Sequence, residues 1–141
     1  MTVKEYLSQA YRLENKIKLQ QKRIEELREL ATSVSSPGFE EHYNASRNTD
    51  APYVKTIEKI MEYQEETEKR IVLLLDLREQ MRASIQKVEN PDLSLVLEYR
   101  YIYNMPWSKI GDEMYVDERT VRRWHNQALA CFKVPKNPIV I

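Results

Sequence analysis

Arginine and asparagine side chains recur in the C-terminal part of the sequence at a spacing that suits hydrogen bonding to DNA. Residues 118–136 carry five cations against one anion, whereas residues 91–117 carry two cations against five anions. Arginine can form two hydrogen bonds to the edge of a guanine, and asparagine can do the same for an adenine. The residues expected to contact DNA are Ser108, Lys109, Glu118, Arg119, Thr120, Arg122, Arg123 and Asn126.

The roles expected of these residues differ with their positions. Arg122 or Arg123 is predicted to bond a base edge, because both lie about one and a half turns into the helix that would enter the major groove. Lys109 is predicted to contact phosphate, since it belongs to the preceding helix, which crosses the DNA backbone. Glu118 has two open interpretations. Its carboxylate accepts a hydrogen bond from a cytosine amine, or its negative charge in the first turn interacts favourably with the helix dipole.

Two short helices crossing at a steep angle have to position these side chains. Residues 107–126 fit a helix-turn-helix, a motif of about twenty residues with apolar side chains at its fourth, eighth, tenth, fifteenth and eighteenth places. Those places hold Ile110, Met114, Val116, Val121 and Trp124. A plain helical hairpin is the alternative, and the positive charge concentrated on the second helix favours the DNA-binding motif.

The turn of the motif is indicated by three residues. Gly111 holds the fifth place, where the two helices approach most closely and a small residue is needed. Asp117 suits the N-cap of the second helix, because its carboxylate can accept from free N–H groups there. Tyr115 holds the ninth place, where a left-handed glycine is common, so we expect a strained or differently shaped turn.

A helix-turn-helix also needs a third helix to pack against. Residues 92–103 are rich in apolar side chains and predict this packing helix, with Asn90 as its N-cap and Pro91 in its first turn. On the second helix of the motif, Trp124 is predicted to face the core, and His125 is predicted to be exposed and to tolerate alanine.

Two long helices are predicted ahead of this module. Apolar residues recur in steps of alternately three and four along residues 3–34 and again along residues 53–89. The stretch at about residues 35–52 has turn-forming residues and no such period, which indicates a linker. Helices of similar length joined in this way favour an antiparallel coiled-coil hairpin, in which symmetric pairing sets Gln20 opposite Glu66.

These patterns predict an all-α protein, with a long antiparallel helical hairpin followed by a C-terminal helix-turn-helix module. The predicted domains are residues 1–89, residues 90–133 and a tail over residues 134–141, whose prolines prevent a helix and which we expect to fray. Three leucines lie partly off the stripe of the second long helix, so this helix offers more apolar surface than one partner covers. A dimer, or docking of this helix against the C-terminal module, would use that surface, and we expect a homodimer through the long helices; the leucines are Leu73, Leu75 and Leu77.

The composition excludes several classes of protein. The formal net charge is zero, so DNA binding has to rest on the local cluster of cations. A single cysteine excludes an internal disulfide framework, and no apolar run approaches the roughly 18 residues of a membrane span. The chain has no glycine-rich phosphate loop, and His42 and His125 are its only histidines. We expect a cytoplasmic protein with no enzymatic activity, no metal and no cofactor.

Residues 95–129 carry a resemblance to a known family. Their sequence, LVLEYRYIYNMPWSKIGDEMYVDERTVRRWHNQAL, resembles region 4 of sigma factors, the C-terminal DNA-binding region that reads an upstream promoter element. With coiled-coil helices in front, the chain resembles the ArpU/RinA-type transcriptional regulators of phages and prophages in Gram-positive bacteria. The resemblance implies a regulator of phage late genes that binds promoter DNA through a recognition helix at residues 118–131. It implies RNA polymerase as a further partner and the nucleoid of the bacterial host cell as the location.

Two other functions fit parts of the same pattern. Phage small terminases also join a helix-turn-helix to oligomerisation helices, and a ring of eight or more subunits would favour that function over a dimeric regulator. A helical adaptor for other proteins is the second alternative. Failure to bind any duplex at low salt, where counterion release favours binding, would favour the adaptor.

Overall fold

The chain is all-α in the computed structural model, which describes residues 1–34 and 50–141 and has no strand there. None of the helices in these two ranges has a stretch long and apolar enough to cross a membrane. Most of the predicted linker, including His42, lies outside the described residues. The elements are α1 Val3–Val34, α2 Asp50–Ile85, α3 Pro91–Leu97, a π-helical turn Glu98–Ile102, α4 Trp107–Met114 and α5 Glu118–Cys131.

The described chain divides into two compact units. The terminal unit consists of Met1–Glu14 and Leu73–Ile141, and the middle unit consists of Asn15–Val72. In the middle unit the buried side-chain amide of Gln20 donates to the carboxylate of Glu66 over 3.2 Å. These are the two residues that the predicted register places opposite each other.

Side-chain hydrogen bonds mark the start of α1 and the break between α2 and α3. At the start of α1, the Thr2 hydroxyl accepts from the Glu5 N–H over 3.2 Å, and the Thr2 N–H donates to the Glu5 carboxylate over 2.9 Å, which is a capping box. Helix α2 ends at Ile85, four residues before the predicted end at residue 89. Beyond Ile85 the bonds span three residues, as from the Val88 N–H to the Ile85 carbonyl, and Asn90 is extended, with ψ of 117°, and caps α3 by accepting from the Asp92 N–H.

The packing helix predicted over residues 92–103 has two parts. Helix α3 ends at Leu97, and the next turn closes with a hydrogen bond from the Tyr103 N–H to the Glu98 carbonyl, five residues back. The adjacent residues Tyr101 and Ile102 of this turn are both buried. The Tyr101 hydroxyl lies 2.6 Å from Nε2 of His125 in α5.

Candidate nucleic-acid interface

The apolar residues predicted for the helix-turn-helix pack together in the terminal unit. Ile110 of α4 and Val121 of α5 are fully buried against Val96 of α3. The other three predicted positions are partly buried side chains packed on this centre, namely Met114, Val116 and Trp124. Helices α4 and α5 therefore share one small core with α3, as the spacing of the sequence predicts.

Gly111 lies where α4 meets the turn that leads to α5. A Cβ atom at this position would stand 2.8 Å from the backbone oxygen of Val116, closer than two such atoms can approach. The obstacle is main chain, so a larger residue could not be accommodated by moving a side chain. The prediction that this place needs a small residue is confirmed.

The turn between α4 and α5 takes the left-handed conformation at Tyr115, with φ of 58° and ψ of 39°. The side chain of Tyr115 is 95% exposed, so no core packing offsets the cost of this backbone conformation. Asp117 then caps α5 by accepting from the Thr120 N–H over 3.0 Å. Hydrogen bonding from the Thr120 side chain, and then from its backbone N–H, holds the pKa of the Asp117 carboxyl below its ordinary value. Of the two forms of the turn that the sequence left open, the structure has the strained one, and the cap at Asp117 is as predicted.

His125 is buried, with 7% of its surface exposed, so the prediction that it would be exposed is wrong. Each residue turns an α-helix by about 100°, and the inward direction set by Val121 and Ala128 falls between Trp124 and His125. Both side chains therefore lie on the inner half of α5. Trp124 is only partly buried, at the border of the core.

The environment of His125 keeps its imidazole neutral. Its Nε2 atom lies 2.6 Å from the Tyr101 hydroxyl, and its ring meets the Trp107 ring edge-on at 4.7 Å. Burial, together with the charges of Arg100 and Lys4, lowers the pKa of His125 from 6.5 to about 4. At neutral pH the imidazole is thus an uncharged, hydrogen-bonded part of the module.

The outer face of α5 carries three of the predicted contact residues. Arg119, Arg123 and Asn126 are exposed and lie on the side opposite Val121. Neither of these arginines has an ion-pair partner within residues 1–34 and 50–141. Their guanidinium groups are free to bond an acceptor from outside the chain.

The remaining predicted residues lie around this face and differ in their exposure and in their contacts within the chain. Arg122 forms an ion pair with Glu118 over 2.9 Å, and its guanidinium carbon lies 5.7 Å from the centre of the Trp107 ring. Both side chains of the pair are about half-exposed, so it contributes little stability. Ser108 and Lys109 are exposed in the first turn of α4, and Thr120 is half-buried.

A basic cleft of about 450 Å³, which the sequence did not predict, opens beside α5. Lys4 of α1, Arg100 of the π-helical turn and Arg122 of α5 line it together with Asn126, and no Asp or Glu of the described residues does. The Arg100 guanidinium lies 4.1 Å from the centre of the Trp107 ring. Lys4 is remote in sequence from the other residues, so no local pattern could have placed it in this cleft.

Side chains suited to metal or nucleophilic chemistry are not brought together in the part of the chain that the structure describes. There, no three His, Cys, Asp or Glu side chains could hold a metal ion between them. Cys131 is exposed at the end of α5, whereas His125 is buried against Tyr101.

Comparisons with known proteins give a family and no individual relative. The model of a family described as "Protein of unknown function (DUF1492)" matches residues 32–133. No curated protein and no solved structure matches the chain. The matched range includes α2 to α5 in full, whereas Lys4 and residues 134–141 fall outside it.

Proposed function

We propose that this chain, which belongs to the family described as "Protein of unknown function (DUF1492)", is a sequence-specific DNA-binding regulator of transcription. The observation that carries the proposal is the outer face of α5, where Arg119 and Arg123 stand exposed beside Asn126 and have no ion-pair partner among the residues that the structure describes. Arginine and asparagine are the residues that bond guanine and adenine edges in pairs of hydrogen bonds. An exposed helix face of this composition has the chemistry for reading base pairs.

The dimensions of the module suit the major groove. Helix α5 has 14 residues, which gives about 21 Å of helix at 1.5 Å per residue. A major groove about 12 Å wide admits an α-helix lengthwise. With α5 in the groove, α4 would cross the sugar-phosphate backbone, where Lys109 and the Ser108 hydroxyl can bond phosphate oxygens.

The electrostatics support a short-range mode of attraction. The chain as a whole has no formal net charge, so it gains little from long-range steering. Lys4 and Arg100 add positive charge next to the face of α5, and DNA phosphates could meet them there. Binding of this kind should depend on salt through a small number of phosphate contacts.

The regulatory part of the proposal rests on the resemblance of residues 95–129 to region 4 of sigma factors. We assign the chain to the control of phage or prophage late genes, with promoter DNA and RNA polymerase as partners. Large apolar side chains remain exposed on the middle unit, which supports a homodimer through the long helices; they are Leu19, Leu30, Met61 and Val72. A dimer would present two copies of α5 to two half-sites.

The experiment that tests the proposal is footprinting of the chain on the genomic region around its own gene. We expect one protected site beside a promoter, and we expect the protection to disappear in the double variant Arg119→Ala, Arg123→Ala. Lys59→Ala removes an exposed cation from the middle unit and serves as the control that should keep the footprint. Uniform binding without a protected site would contradict sequence-specific regulation.

A further inference from the structure

The last residues of the chain are held by two glutamine side chains, contrary to the expectation that they fray. The Gln80 amide donates to the Asn137 carbonyl and accepts from the Ile139 N–H, each over 3.0 Å. The Gln9 amide donates to the Ile139 carbonyl over 2.8 Å and accepts from the Ile141 N–H over 2.9 Å. All of these residues belong to the terminal unit.

These hydrogen bonds have the pattern of one strand pairing with another. In an extended chain the N–H and C=O of one residue point to the same edge, and alternate residues share that edge. Ile139 and Ile141 bond along one edge in this way, and Asn137, where the chain bends, adds its carbonyl. The amides of Gln9 and Gln80 therefore take the place of peptide groups in a neighbouring strand, as in the recognition of peptides by strand addition.

Both amides have a further hydrogen-bond partner besides the segment, and in each case it is Tyr6. Gln9 is 6% exposed, and its Nε2 atom also donates to the Tyr6 carbonyl over 3.2 Å. The Gln80 oxygen accepts from the Tyr6 hydroxyl over 2.7 Å. Tyr6 is fully buried and its ring stacks on Phe132, with 6.1 Å between the ring centres. A site held in this way loses little conformational freedom when a peptide binds.

The four hydrogen bonds described above all reach the backbone of the segment, in which the side chain of Ile139 is partly buried. Val140 is 65% exposed, so its side chain adds little to the contact. The N–H groups required by the site are those of Ile139 and Ile141. Proline, which has no N–H, stands at position 138, where the edge of the strand faces away from the two glutamines.

We propose that Gln9 and Gln80 form a binding site for an extended peptide backbone, which this chain fills with its own residues 137–141. The site takes the same segment from outside the chain once its own copy is displaced. It requires an N–H at the positions of Ile139 and Ile141 and tolerates proline at the positions between them. In the intact chain the covalent connection gives the segment a high effective concentration, so an added peptide competes poorly.

The test uses two full-length variants and one labelled peptide. Ile139→Pro removes an N–H that the site needs, whereas Val140→Pro removes one that faces away. A fluorescent peptide with the sequence of residues 134–141 is titrated with each chain and with the unchanged chain, and its anisotropy is measured. The Ile139→Pro chain should bind the peptide at least about tenfold more tightly than the other two chains, since only its site is vacant.

A further variant tests whether peptide binding depends on the glutamine side chains. Adding Gln9→Ala to the Ile139→Pro chain should abolish the gain in affinity, and the helix content of each chain, measured by circular dichroism, should be unchanged. A peptide carrying Ile139→Pro should fail to bind, whereas one carrying Val140→Pro should bind. Equal affinity of all three chains, or equal binding of both proline peptides, would overturn the proposal.

Discussion

The buried His125 makes the stability of the terminal unit depend on pH in a way that can be calculated. Its pKa in the folded chain is about 4 against an ordinary value of 6.5. Because the folded pKa is depressed, the stabilisation is fully present above pH 6.5 and is lost as the pH falls towards 4. Over the whole range the loss is about 3 kcal/mol, since one pKa unit corresponds to about 1.4 kcal/mol.

A milder pH is sufficient for the measurement. At pH 5.5 the unfolded chain binds a proton on His125 far more often than the folded chain, which costs about 1.4 kcal/mol relative to pH 7.5. The assay is urea unfolding followed by circular dichroism at both pH values, for the unchanged chain and for His125→Gln. The glutamine variant removes this titration, so its loss of stability should be smaller by about 1.4 kcal/mol.

The comparison between the two chains isolates His125 from the carboxylates, which titrate in both. A nuclear magnetic resonance titration of the imidazole gives the pKa independently. The cations that face His125 are Arg100 from the π-helical turn and Lys4 from α1, and Tyr101 supplies the hydrogen bond. An identical pH dependence in both chains, with an imidazole pKa near 6.5, would mean that His125 is exposed and that the packing described for α5 is wrong.

Three further outcomes are expected. Arg123→Ala should lose about 1–3 kcal/mol of binding at the specific site and relax its preference at one base pair, whereas Lys109→Ala should weaken specific and scrambled duplexes alike in titrations at two salt concentrations. Gly111→Ala should lower the free energy of unfolding by about 1–3 kcal/mol in urea, because the added methyl group meets backbone. Gln20→Leu should raise the melting temperature and make the oligomeric state measured by ultracentrifugation less well defined, because it removes a buried polar contact. A clear drop in the melting temperature would contradict the pairing of the long helices.

The helix-turn-helix core could be predicted from the sequence because its determinants are local. The positions of Ile110 and Val121 follow from the period of a helix, and the need for Gly111 follows from the sharp turn between two helices. The cap at Asp117 involves residues three apart, so it too is visible in the sequence. The outer face of α5 follows once its inner face is known.

The parts that could not be predicted depend on residues far apart in the chain. The basic cleft needs Lys4 beside Arg100, and the tail site needs Gln9 beside Gln80. In a sequence, a glutamine on a helix is interpreted as a solvent-exposed polar residue. No neighbouring residue distinguishes such a glutamine from one whose side-chain amide bonds a peptide backbone. The prediction that His125 is exposed was wrong for a different reason. His125 is separated from Trp124 by one helical step of about 100°, and both residues fit on the inner half of the helix.

The π-helical turn Glu98–Ile102 constrains the length of the chain at this point. Such a turn differs from an α-helix by one residue, so a single deletion can remove it. The backbone would accept the shorter helix, because every N–H would still find a carbonyl one turn back. Tyr101, however, would rotate by about 100° around the axis and leave the imidazole of His125 without its hydroxyl partner. The permitted length of α3 and its final turn is therefore set by one side chain on α5.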